Sequence, residues 1–216
     1  MKKNNSFHDR KERSQWIVKK FQDKFYREES VLDIGCYKKD IKRYLPKGIK
    51  YKGIDIEGEP DIILDLDKSV KLPIKDKEYD IIVCADVLEH LENIHEVFDE
   101  ICRVTRKHII ITLPIPTSIF WRYLLNRYYS NNFEKSKSHG LFSKYYGLPL
   151  EKPVDRHRWF YNNKEAERFI KYRSEKNGFS VSYIELLDLK PNIFIKIILS
   201  LIGNLKGGTI VALITR

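Results

Sequence analysis

Short apolar runs bounded by charge and glycine alternate along this chain with stretches of helical spacing. Val31, Leu32 and Ile34, with Asp33 among them, make a short buried strand between Glu28-Glu29 and a turn at Gly35. The spacing predicts a helix over 38–45, a second strand over 51–55 ending on Asp55, and a third over 61–64. Residues 81–85 form a near-continuous apolar run, the mark of a central parallel strand buried on both faces. Ile94, Val97, Phe98, Ile101 and Val104 recur at helical spacing, and 109–113 is a fifth strand closed by Pro114 and Pro116. Asn162 or Asn163 caps a helix over 164–176, Asn177-Gly178 ends it, and 179–187 and 208–215 supply two last strands. A leading amphipathic helix over 8–27 carries Trp16, Ile17, Phe21 and Phe25. Strands alternating with helices predict an α/β fold with a mainly parallel sheet.

A strand, a glycine turn and a helix start form a place where a ligand lies against the main chain. Asp55 follows Gly35 by about twenty residues, the separation at which an acid meets ribose hydroxyls in nucleotide-type α/β folds. One carboxylate accepts from both hydroxyls at once. Residues 86–90 fall at the carboxyl end of the fourth strand, the edge where open α/β sheets bind ligands. There His90, titrating near neutrality, is a candidate base.

Two stretches depart from this alternation. Residues 115–160 interleave aromatics with bases and end in Asp155-Arg156-His157-Arg158-Trp159, an acid, a titratable ring and fixed cations within a few residues. Such a cluster either orients a hydroxyl and binds an anion, or buttresses a lid with Trp159 and Phe160 in the core. Residues 191–204 are apolar except for a stripe of Asn192, Lys196, Ser200 and Asn204. A helix of that kind packs on the domain, forms a dimer interface, or lies in a membrane surface; it is too short to span a bilayer.

Composition narrows the classes. The 216 residues suffice for one α/β domain with an insertion. Three cysteines without paired spacing suit reduced thiols, and no metal site is expected. The amino terminus is polar, without a signal-peptide core, so the expected location is cytoplasmic, with peripheral contact at the inner membrane face through 191–204. The net charge is +10, with thirteen basic against six acidic residues in 115–178. That favours anionic partners, although a Lys-, Ile-, Asn- and Tyr-rich composition raises charge without selection for it.

Leu32-Asp33-Ile34-Gly35-Cys36, Gly53-Ile54-Asp55 and Ala85-Asp86-Val87-Leu88-Glu89-His90-Leu91, in this order, resemble class I S-adenosylmethionine-dependent methyltransferases, the last run being similar to the "VLEHL" signature of the small-molecule, type 11-like branch. The resemblance covers about 30–114 and the final strands. It implies a three-layer Rossmann-like domain over 1–216, a seven-stranded sheet with an antiparallel last strand, a lid at about 115–160, and S-adenosylmethionine as cofactor. It implies a cofactor set of Asp33, Gly35, Cys36, Asp55, Ile56, Asp65, Leu66 and Asp86. Gly35 meets the methionine end, Asp55 the ribose, and Asp65 with Leu66 the adenine, Asp67 being the alternative. His90, His157 and Arg158 are the expected catalytic residues, with Arg156 and Arg158 as anion contacts. His95 and His108 are assigned to the surface and a strand edge. The family continues its first motif with further glycines, where this chain has Tyr37 and Lys39. Either the loop follows a different path, or the chain is a non-catalytic relative. The expected acceptor is small and anionic, or linked to lipid or sugar. An RNA methyltransferase is the alternative, although nucleic acid is not the favoured partner, and a homodimer is a further option.

Overall fold

The computed structural model describes residues 9–116, 157–188 and 208–216. Most of the expected lid, including Asp155 and Arg156, and the apolar stretch 191–204 lie outside them. The described elements run α1 (Arg10–Lys20), α2 (Gln22–Phe25), β1 (Ser30–Ile34), β2 (Lys50–Asp55), β3 (Ile62–Ile63), β4 (Tyr79–Ala85), α3 (Ile94–Val104), β5 (Thr105–Pro114), α4 (Asn163–Lys176), β6 (Ser180–Asp188) and β7 (Gly208–Thr215). The sheet has seven strands in the order β3-β2-β1-β4-β5-β7-β6. β1 pairs parallel with β2 and β4, and β4 with β5. β7 is antiparallel to both β5 and β6. This is the α/β architecture expected from the sequence.

Strand period sorts the apolar runs onto two faces. Leu32, Ile34, Ile82, Ile109 and Ile111 join Phe98 and Ile101 of α3 and Ala166 and Ile170 of α4. Val31, Ile81, Val83 and Ile110 join Ile17 and Val18 of α1 and Phe25. Every residue of β1 and β4 is buried. These strands therefore anchor both layers, and their carboxyl ends form a rigid rim.

Several boundaries move. The leading helix breaks at Phe21, which closes α1 and opens α2. The helix expected over 38–45 is instead a short 3-10 turn, Asp40–Arg43. Its cause is upstream: Tyr37 and Lys39 adopt left-handed φ of 44° and 55°, which no right-handed helix accommodates. The third strand shrinks to two residues, while β5 starts at Thr105 directly behind α3. Asn162 does cap α4 through a complete capping box with Glu165. His108, expected at a strand edge, is buried and lies 3.2 Å from the Thr215 hydroxyl.

Candidate functional site

Gly35 closes β1 at φ 79°. A Cβ there would stand 2.1 Å from Val87 Cγ2, so the backbone of this turn approaches the rim of β4 as only glycine allows. The following residues do not crowd it. Tyr37 packs on the turn at Gly58, where an added Cβ would fall 2.8 Å from its ring, and Arg10 and Lys38 flank that ring at 5.0 and 5.4 Å. The loop thus takes a different path, with the bulk of Tyr37 turned toward β2's exit.

Asp55 organises that path. Its carboxylate accepts from the amides of Tyr37 (2.7 Å), Ile56 (2.7 Å) and Glu57 (3.2 Å). Beyond it Ile56 is 58% exposed, an apolar face left open beside an acceptor. Asp65 accepts from the amide of Asp67 at 3.0 Å and pairs with Lys68 at 3.1 Å. Its carboxyl lies below the usual range: desolvation raises it, but the Lys68 bond and charge, with the Asp67 and Lys68 amides, together outweigh that. Leu66, next in the chain, is buried in the core. Asp67, the alternative, is otherwise engaged, accepting from the Glu92 amide and from Arg158.

Asp33 is buried and accepts from the Tyr51 hydroxyl at 2.8 Å. Burial pushes its carboxyl up to about 7, against the lowering effect of Tyr51 and Arg13. Cys36, also buried, is pushed up to about 12, chiefly by desolvation, and stays a thiol. Asp86, at φ 53°, accepts from the Thr112 hydroxyl and pairs with Arg13 of α1. Through that pair, with Arg10, Ser14 and Ile17, α1 walls the small pocket over Asp33, Gly35 and Cys36. The leading helix is therefore a cover for the turn.

The second half of the site is a cluster past β4. His90 and His157 meet edge to face, ring centroids 4.8 Å apart at 89°. Both approach Glu89, their Nε2 atoms 3.6 and 3.8 Å from its Oε1. Glu89 and His157 are buried. Sequence reasoning named the histidines and passed over Glu89. The signal was a carboxylate inside the apolar run Leu88-Glu89-His90-Leu91, a position where exposure would not be the default.

Arg158 is engaged on every side-chain nitrogen. Its amide donates to Glu89 O (2.8 Å), Nε to His90 O (2.5 Å) and Nη2 to Asp67 (2.6 Å), and Nη1 pairs with Glu92. A guanidinium balanced by two carboxylates straps the cluster together, which is the buttress alternative and not an open anion contact. The same strap carries Trp159, whose indole donates to Leu91 O at 2.6 Å. Trp159 and Phe160, however, are 36% and 53% exposed and do not enter the core.

The donor set fits S-adenosylmethionine. A glycine turn admits close approach, acidic side chains end β2 and follow β3, and exposed Ile56 gives apolar surface for a ring.

A family model described as a methyltransferase domain matches residues 6–181. No curated relative matches the sequence. Among solved structures, the chain is similar to a SAM-dependent methyltransferase from Archaeoglobus fulgidus, at 19% identity and a TM-score of 0.59, covering 97% of this chain and 96% of that one. It is similar to magnesium protoporphyrin IX methyltransferase from Synechocystis, solved with bound SAH, at 13% identity and TM-score 0.57, covering 95% and 82%. A likeness to the small RNA methyltransferase HEN1, at 12% identity and TM-score 0.62, covers 95% of this chain and 25% of that one. At such identities the structures speak for the fold, and the family rests on the match over most of the chain: the protein belongs to the methyltransferase-domain family and is a class I S-adenosylmethionine-dependent methyltransferase.

Proposed function

We propose that the protein methylates a hydroxyl oxygen of a small acceptor, anionic or linked to sugar or lipid. The observation that carries this reading is the convergence of His90 and His157 on buried Glu89, at the rim of β4 beside the Gly35 turn. A neutral amine attacks through its own lone pair and has less need of such a group. A hydroxyl must lose its proton as it attacks, and imidazoles held by a carboxylate favour that loss.

S-adenosylmethionine supplies an activated methyl on a sulfonium, whose carbon–sulfur bond breaks as the carbon–oxygen bond forms and whose electron pair stays on sulfur. The chain's own residues do the rest. Gly35 lets the backbone meet the donor, Asp55 and Asp65 accept its hydroxyls and amino group, and α1 excludes water from above. Holding both reactants in line is itself the larger part of catalysis. Arg158 acts through His90 and Glu89, as a positioning residue. Basic charge in 115–178 supports an anionic acceptor.

The test is turnover of labelled S-adenosylmethionine against sugars, phosphosugars, lipids and RNA. On the accepted substrate, His157→Ala is expected to lower turnover about 10²- to 10⁴-fold, with donor affinity unchanged. Arg158→Ala is expected to lower the melting temperature as well, because three side-chain bonds leave with it while the amide bond to Glu89 O stays. Full turnover by folded His157→Ala would remove the cluster from the chemistry.

A further inference from the structure

Glu89 is a carboxylate with 0% of its surface exposed, on a turn whose neighbours Leu88 and Leu91 are core residues. Burying an ionised carboxylate costs several kcal/mol unless positive charge or strong hydrogen bonds accompany it. Among the described residues, the Nε2 atoms of His90 and His157 stand beside it, at 3.6 and 3.8 Å. One donor atom from each of the three residues lies within 4.8 Å of the others. Two imidazole nitrogens and one carboxylate oxygen converge from two distant parts of the sequence, with no lysine among them.

That donor set is one that binds first-row divalent ions and leaves coordination positions open. Two donors each about 2.1 Å from one ion stand roughly 3–4.2 Å apart, so both Glu89–histidine separations already suit an ion, and the widest pair closes with a small side-chain rotation. The cluster is also held in place from behind. Arg158 donates its amide to Glu89 O and its Nε to His90 O, fixing the segment of His157 to the turn of Glu89 and His90. A supporting shell of this kind is what keeps ligands aimed at a common point.

We propose that Glu89, His90 and His157 form a binding site for one first-row divalent cation, such as Mn²⁺, Co²⁺ or Zn²⁺, whose open positions take the acceptor's hydroxyl oxygen. This rests on the methyl-transfer reading and specifies how the hydroxyl is activated. A cation held there would act as a Lewis acid, lowering the pKa of the bound hydroxyl, whose proton would pass to water. The two histidines then act as ligands, and the acceptor class becomes an alcohol or phenol able to bind a metal through oxygen.

The experiment uses the untagged full chain, stripped with a chelator. It is titrated with Co²⁺, followed by visible absorbance, and with Mn²⁺, followed by calorimetry. One ion per chain is expected, with affinity at least tenfold lower in Glu89→Gln and in His157→Gln, the second variant serving if the first does not fold. A wild-type chain that takes up neither ion overturns the proposal, as does binding unchanged in both variants. S-adenosylmethionine titrated into the same stripped chain separates the two readings. Cofactor binding without ion binding refutes the cation site alone, whereas ion binding without cofactor binding counts against methyl transfer.

Discussion

Asp33 shows how one buried carboxyl couples this site to pH. Its folded value of about 7 lies well above the ordinary carboxylate value, because burial outweighs the Tyr51 hydrogen bond and the Arg13 charge. A raised acid binds its proton more tightly folded than unfolded. Its contribution is therefore complete at low pH and is lost as pH rises through about 7. His108, held below its ordinary value by desolvation, acts in the opposite sense but below pH 6.5. The Asp33 contribution to the melting temperature is thus expected to fall as pH rises from about 4 to 7 and to level off above, and Asp33→Asn to remove that fall; an unchanged slope would remove Asp33 as its source. The places of Gly35, Asp55 and Asp65, at or just past the ends of β1, β2 and β3, were legible because the strands before them are; their roles toward the cofactor are what the family resemblance implies. Glu89 was not, because its meaning depends on His157 arriving from another segment to meet it. The pairing of Arg158 was not legible for a related reason. A run of charges reveals their types, while the partners Asp67 and Glu92 that neutralise it come from elsewhere in the chain.

At the scale of elements, periodicity located every described strand and the α3 and α4 helices, since each buries a face whose spacing is visible. Boundaries that backbone conformation decides were the ones that moved. Residues 38–45 carry a helical pattern, yet the left-handed turn at Tyr37 and Lys39, tied by the Lys39 amide to Cys36 O at 2.7 Å, leaves room for one 3-10 turn. Capping was readable because it is local. Asn162 accepts from the Glu165 amide at 3.0 Å while its own amide donates back to the Glu165 carboxylate at 2.9 Å. Both groups are exposed, so Asn162→Ala isolates the cap. It is expected to cost about 1 kcal/mol of stability by denaturant unfolding, with Asn162→Asp nearly neutral. A loss near zero would mean that α4 is held by its packing on β6, β7 and α3 without help from the cap.

For the whole molecule, the sheet places the chemistry on one rim and covers it with α1, an arrangement that order and handedness of the strands impose. Among the described residues no helix is long and apolar enough to cross a membrane. Peripheral contact through 191–204 is a separate expectation from sequence. Apolar side chains in that stretch and a net charge of +10 predict sedimentation with anionic vesicles, weaker at high salt and abolished by Ile198→Glu. Protein that stays in the supernatant would exclude membrane docking, and a shift to monomer on substitution would indicate a subunit interface. The central claim is that this rim binds S-adenosylmethionine despite the missing glycines of the first motif. It is tested most directly by calorimetric titration of the purified chain with S-adenosylmethionine, beside Asp55→Ala and Asp55→Asn variants checked for folding. One cofactor per wild-type chain is predicted, weakened about ten- to a hundredfold in Asp55→Ala, the scale of about 1.5–3 kcal/mol for charged hydrogen bonds. A folded wild-type chain that takes up no cofactor, or an Asp55→Ala chain that binds it equally well, would contradict the account.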